Sequence, residues 1–126
     1  MTPAQLIDAI AAAIARMEGY YVSQSISQRN RNPGNLRSWG TLPTVGGYAK
    51  FDTDAAGWAA LKRQVSRNIG RNLTLYEFFG GKPGVYPGYA PAADSNHPRE
   101  YAEFVSRQVG CAPDVVLSTL TAKDIK

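Results

Sequence analysis

Three stretches of this chain repeat apolar side chains every three or four residues, and each stops at a glycine. Leu6, Ile7, Ile10, Ile14 and Met17 precede Gly19; Trp58, Leu61, Val65 and Ile69 precede Gly70; Tyr101, Phe104, Val105 and Val109 precede Gly110. That period lines one face of an α-helix, and glycine ends a helix cheaply because it enters the left-handed region without a Cβ clash. The starts are marked too. Thr2 before Pro3 opens a helix over about 3–18, Asp52 or Thr53 caps one running to about Ile69, and Asn96 or His97 precedes Pro98 at the third. Thr74 with Glu77 fits a capping box for a brief helix through Phe79, and Pro113-Asp114 opens a short last one with Val116, Leu117 and Leu120 inward. Residues 22–31 are polar and patternless and read as a loop. The turn-formers Asn32 to Asn35 lead into Leu36–Trp39, which pairs with Gly46–Phe51 as a small β-hairpin; Gly80–Pro91 reads as a Gly/Pro-rich loop. The expected class is mainly α, with a small β-hairpin after the first helix.

At 126 residues, with 44% apolar and 19% charged side chains, the chain suits one globular domain over 1–126, without internal repeats or low-complexity runs. A single cysteine, Cys111, rules out an internal disulfide, and with one histidine, His97, neither a multi-cysteine zinc site nor a His-rich metal site is available. No metal and no cofactor is expected. A net charge of +4 favours an anionic partner: nucleic acid, membrane surface or acidic wall polymer. Nine arginines point weakly to nucleic acid, but they are scattered and no groove-entering motif accompanies them, so none is expected as partner. No run approaches the roughly 18 to 20 apolar residues that cross a bilayer, so stable membrane insertion is not expected. Leu6–Ile14 imitates the middle of a signal peptide. Asp8 interrupts it, no basic residue precedes it, and Arg16 and Glu18 follow where a cleavage site would lie, so a mature helix is expected there.

Glu18 stands out. It falls at the end of the first helix beside an apolar stripe and before Tyr20 and Tyr21. The negative end of the helix dipole and desolvation both oppose ionisation, which suits a carboxyl that donates a proton to a leaving oxygen. The alternative is a solvated glutamate paired with Arg16 or another arginine. The run Asn32-Pro33-Gly34-Asn35-Leu36-Arg37 offers amides and a cation to a carbohydrate, or else caps itself through Asx-type bonds. Among aromatics, Trp58 and Tyr101 lie on helical stripes and read as core, whereas Trp39, Tyr48 and Tyr89 lie in hairpin or loop positions where a flat ring meets a sugar. Asp94, Ser95 and Asn96 read first as a helix-capping loop. His97 reads as a cap or surface residue and Cys111 as a small packing residue; a Cys–His pair is the sharper alternative.

The order of these segments carries more than any one of them. Ala15-Arg16-Met17-Glu18-Gly19, then NPGNLR at 32–37, then Gly47-Tyr48-Ala49-Lys50-Phe51 leading into Gly57-Trp58-Ala59-Ala60-Leu61, then Tyr89-Ala90-Pro91 with Asp94-Ser95-Asn96 before Tyr101, resembles small lysozyme-like proteins of bacteriophages and bacteria. Those are lytic transglycosylases and muramidases that cut peptidoglycan. The resemblance implies a lysozyme-like fold in two lobes with a glycan groove, and Glu18 as the catalytic acid for the bond between N-acetylmuramic acid and N-acetylglucosamine. A lysozyme of the hydrolytic kind uses a second carboxylate, for which Asp52 and Asp54 are candidates, although capping the next helix explains both. A lytic transglycosylase needs one glutamate, acid then base, and leaves 1,6-anhydromuramic ends. The resemblance further implies Asn35, Tyr48, Tyr89 and Asn96 along the glycan, with Arg37, Arg29 and Arg31 near stem-peptide carboxylates. It implies peptidoglycan strands as partner, with the protein a monomer or part of a phage particle. Made in the cytoplasm, it would reach the wall by phage-type release, virion carriage or a secretion machine. A hydrolytic muramidase, or a silent glycan-binding or virion structural module, is the competing expectation.

Overall fold

A computed structural model describes residues 1–94 and 96–121. The chain is mainly helical with one small two-stranded antiparallel hairpin. Helix α1 spans Pro3–Met17, α2 Ile26–Arg29, strands β1 Thr44–Val45 and β2 Tyr48–Ala49, α3 Asp54–Gly70, α4 Leu75–Gly80 and α5 Pro98–Val109, with 3-10 turns at Ala92–Asp94 and Leu117–Leu120.

Helix α1 begins as its sequence dictates. The Thr2 hydroxyl accepts from the Gln5 amide at 3.1 Å while the Gln5 side chain accepts from the Thr2 amide at 2.8 Å, a reciprocal cap for two otherwise orphaned donors. Leu6, Ile10 and Ile14 of its inward stripe are buried as expected, but Met17 is 41% exposed, and Ala11 and Ala15 join the buried face. That stripe, continued by one helical step, arrives at the half-buried Glu18. Helix α3 is capped by Thr53, whose hydroxyl accepts from the Ala56 amide at 3.1 Å, so neither Asp52 nor Asp54 is needed for capping. The Thr74–Glu77 box opens α4 with both of its bonds formed. Helix α5 starts on Pro98 and ends at Gly110 in the left-handed region; His97 occupies the cap position without a side-chain cap bond.

Three elements depart from the sequence reading, the first being the last helix, which does not open at Pro113-Asp114 but is a 3-10 turn over Leu117–Leu120 with Leu117 buried and Val116 and Leu120 half-buried. Residues Ile26–Arg29 form a helical turn where a loop was expected, because the Ser25 hydroxyl accepts from the Gln28 amide at 3.1 Å. The first hairpin strand is Thr44–Val45 rather than Leu36–Trp39. Gly46 and Gly47, at φ +66° and +88°, make a two-residue turn that fixes Val45 opposite Tyr48 and Thr44 opposite Ala49. Leu36 keeps one bond to the hairpin, its carbonyl accepting from the Ala49 amide at 2.9 Å. The 80–91 loop contains an isolated antiparallel bridge between Lys82 and Tyr86.

The chain divides into two compact units, Met1–Ile10 with Ser66–Lys126, and Ala11–Val65. In the first, α4 and α5 pack together through Phe78, Phe79 and Tyr101; the Phe79 and Tyr101 rings stack with centroids 4.1 Å apart. Leu117 is buried there and its amide donates to the Leu73 carbonyl at 2.9 Å. In the second, Ile14, Leu36, Ala49, Phe51, Leu61 and Val65 are buried. Here α3 meets the 31–34 turn so closely at Gly57 that a Cβ would overlap the Arg31 carbonyl oxygen and come within 2.9 Å of Pro33 Cδ. No described helix is long and apolar enough to cross a membrane.

Candidate active site

Glu18 directly follows Met17, the last residue of α1, and the chain leaves the helix through a doubly bonded turn. The Glu18 amide donates to the Ile14 carbonyl at 2.9 Å, the Gly19 amide to Arg16 at 3.3 Å and the Tyr20 amide to Ala15 at 3.0 Å. With Gly19 at φ +79°, this is a Schellman cap with Glu18 at the C-cap and glycine in the position where a side chain would be strained.

The residues after it are tied down in turn. Ser25 Oγ donates to the Gly19 carbonyl at 2.6 Å and Gln28 Nε2 to the Tyr20 carbonyl at 3.4 Å. The Tyr20 hydroxyl donates to Asp54 Oδ1, in the first turn of α3, at 2.6 Å. Its ring meets Trp58 edge-on at 5.5 Å and Tyr21 at 5.2 Å. Burial pushes the Tyr20 hydroxyl above its usual range, and the adjacent Asp54 carboxylate adds to that shift. Asp54 is thus engaged by a phenol; Asp52 is exposed, and its backbone carbonyl accepts from Arg31 at 2.8 Å.

The NPGNLR run builds the support for the hairpin. Asn32, fully buried, donates through Nδ2 to the carbonyls of Leu36 at 3.0 Å and Ala49 at 2.9 Å, and accepts from the Leu36 amide at 3.0 Å. Asn30 Nδ2 reaches the carbonyls of Val45 at 3.0 Å and Tyr48 at 3.4 Å. Asn35 is half-buried in the left-handed region at φ +49°, and its Oδ1 is buried without a protein partner. Arg37 is exposed and lies over the half-buried Tyr48 ring, 5.4 Å from its centroid.

Glu18, Asn35, Arg37 and Tyr48 belong to the Ala11–Val65 unit, and Tyr89 and Asn96 to the other. Tyr89 is half-buried against Phe78 and Phe79, at 5.8 and 5.9 Å between centroids, so part of its ring serves packing. Asn96 Nδ2 donates to the Pro91 carbonyl at 3.3 Å, and Asn96 lines a shallow depression of about 300 Å³ with His97, Arg99 and Glu100. Ser95, named with it in the sequence reading, lies outside the described residues. Trp39 is half-buried. Burial raises the Cys111 thiol, which keeps it in the unreactive protonated form. Among the described residues, no group of three or more His, Cys, Asp or Glu is placed to hold a metal ion.

Sequence reasoning missed Tyr20–Asp54 as a pair and the tethering role of Asn30. The first joins residues 34 apart in sequence, which local pattern does not register. The second adjoins the turn-forming cluster, and an asparagine beside Asn32-Pro33-Gly34-Asn35 was its only local sign.

No protein-family model, curated protein or solved structure matches this chain.

Proposed function

We propose that this chain is a lysozyme-like enzyme that cleaves the β-1,4 bond between N-acetylmuramic acid and N-acetylglucosamine in peptidoglycan, acting as a lytic transglycosylase with Glu18 as its single catalytic carboxyl. The observation that carries this reading is the half-buried Glu18 at the C-cap of α1, in a turn bonded from α1, Ser25, Gln28 and Asp54. A general acid must be carried where a leaving oxygen can reach it, and a half-buried carboxyl at a helix end is suited to that role. Bonds to the Gly19 and Tyr20 carbonyls tie down the backbone turn from which that side chain projects.

In the proposed reaction Glu18 gives its proton to the bridging oxygen as the bond to muramic acid C1 breaks, and the N-acetylglucosamine end leaves as an alcohol. The N-acetyl group of the muramic acid stabilises the cation. The Glu18 carboxylate then takes the proton of the C6 hydroxyl as that oxygen bonds to C1, closing a 1,6-anhydro ring and restoring the acid. Water is not consumed. Engagement of Asp54 by Tyr20 supports a one-carboxyl mechanism over a hydrolytic muramidase. Asn35, Arg37, Tyr48, Tyr89 and Asn96 are the proposed substrate contacts, and delivery to the wall by phage-type release, virion or secretion machine belongs to the same proposal.

Zymography on purified peptidoglycan tests it. Wild type clears the wall, and Glu18→Gln, with an unchanged circular dichroism spectrum, loses about 10²- to 10⁴-fold of that activity. Clearing by Glu18→Gln at the wild-type rate removes Glu18 from the mechanism; binding without clearing by the wild type favours a silent glycan-binding module.

A further inference from the structure

Apolar exposure in this protein gathers around one residue. Among the described residues six large apolar side chains are exposed, and three of them, Met17 at 41%, Tyr21 at 63% and Val22 at 61%, lie within four positions of Glu18. Exposed apolar residues scattered singly need no explanation; three in one short turn do.

The turn that carries them is bonded along its length. Beyond the bonds of the α1 cap, the Val22 amide donates to the Gly19 carbonyl at 3.0 Å and the Ser25 amide to the Val22 carbonyl at 3.2 Å. Val22 Cγ2 stands 3.9 Å from where a Cβ on Gly19 would be, so it lies against the cap. The Tyr21 ring has a fixed neighbour. It meets Tyr20 edge-on, with centroids 5.2 Å and planes 77° apart, and Tyr20 is itself held by its bond to Asp54 at 2.6 Å and by the Trp58 ring at 5.5 Å. A tyrosine has only two side-chain torsions. Oriented by an anchored neighbour and still mostly in water, it keeps a large, flat apolar surface ready for a partner at little further entropy cost.

Its position selects that partner. Tyr21 is the third residue after Glu18, so their Cα atoms are at most about 11 Å apart. A glycan strand cut at Glu18 has sugars on both sides of the broken bond, and one of them passes within reach of a ring so placed. A β-linked N-acetylhexosamine carries C–H groups on its ring faces and polar groups at its rim, which an exposed tyrosine, apolar in body and polar at the tip, complements. A stable dimer takes about 20 residues from each partner, more than this turn supplies. We propose that the exposed face of Tyr21 stacks on an N-acetylhexosamine ring adjoining the bond that Glu18 cleaves, so that part of the affinity is for the sugar itself and persists when stem peptides are removed. This rests on the peptidoglycan reading above and adds to it a glycan contact beyond Asn35, Arg37, Tyr48, Tyr89 and Asn96.

The experiment measures binding of full-length Glu18→Gln protein to a peptide-free N-acetylglucosamine hexamer by calorimetry and to purified sacculi by sedimentation, so that cleavage does not enter. Tyr21→Ala in that background is expected to weaken binding to both about three- to tenfold, whereas Tyr21→Phe and Tyr21→Trp, which keep a ring face, stay within about twofold of the parent. Val85→Ala, which removes an exposed apolar side chain from the other unit, is expected to leave binding unchanged. Equal binding by Tyr21→Ala and its parent overturns the proposal, as does the lack of any measurable binding of the hexamer by the parent. A loss from Tyr21→Phe as large as that from Tyr21→Ala also overturns it, because the hydroxyl and not the ring face would then be the contact. Tighter binding to phosphatidylglycerol vesicles than to the hexamer, lost in Tyr21→Ala, would assign the ring to a lipid surface and overturn it as well. The catalytic reading fails separately. Clearing by Glu18→Gln with Tyr21-dependent glycan binding intact would sink that reading and leave this contact standing; an inactive Glu18→Gln with Tyr21→Ala binding like its parent would do the reverse.

Discussion

Tyr20 joins the end of α1 to the start of α3 through one hydroxyl, and that bond has a pH signature. Its ionisation is raised above the ordinary 10.0 in the folded chain, so the unfolded chain releases this proton first as pH rises. The stabilisation is therefore fully present below about pH 10 and is lost as pH climbs through the folded value. Tyr20→Phe is expected to cost about 0.5–1 kcal/mol at neutral pH and to decline less steeply above pH 10 than wild type, checked by urea denaturation at a series of pH values. Asn32 carries a larger share. Asn32→Ala leaves the Leu36 amide and the Ala49 carbonyl without their buried partner and takes one of two bonds from the Leu36 carbonyl, for an expected loss of about 2–4 kcal/mol by the same measurement.

Among the elements, α3 and the 31–34 turn depend on a missing side chain. Gly57→Ala drives a methyl group into the Arg31 carbonyl and Pro33, and the backbone must yield, at an expected 1–3 kcal/mol or about that range. Thr74→Ala removes the side-chain half of the α4 capping box and is expected to cost about 1 kcal/mol in thermal or urea unfolding. The elements that sequence made legible share a property: their signals are local. Thr2 with Pro3, the Thr74–Glu77 box, and Gly19 and Gly110 at helix ends all act within one turn of themselves, whereas Gly70 lies inside α3 and Asn72 takes the left-handed position beyond it. What was not legible depended on partners. Leu36–Trp39 has apolar character suited to a strand, but the Gly46-Gly47 turn places Val45 against Tyr48, leaving Leu36 only a single bond to Ala49. The Ser25-x-x-Gln28 cap of α2 was present in the sequence and was hidden by the polar texture around it.

For the molecule as a whole, the sequence located Glu18 at a helix end, and the structure adds what a linear reading lacks: the bonds that hold that end and the burial of the stripe leading to it. Met17 failed as a core residue because Ala11 and Ala15 join Ile14 on the buried face, and that face continues one step on to the half-buried Glu18. Charge was legible only as a total of +4; its confinement to Ala11–Val65 depends on which segments fold together. The measurement that bears most directly on the central claim is mass spectrometry of the fragments released from purified peptidoglycan by wild type and by Glu18→Gln. One carboxyl working as acid and then base predicts 1,6-anhydro ends, each lighter by one water than a reducing end, from the wild type and almost none from the variant. Reducing ends from the wild type, or anhydro ends from Glu18→Gln in equal amount, would contradict it.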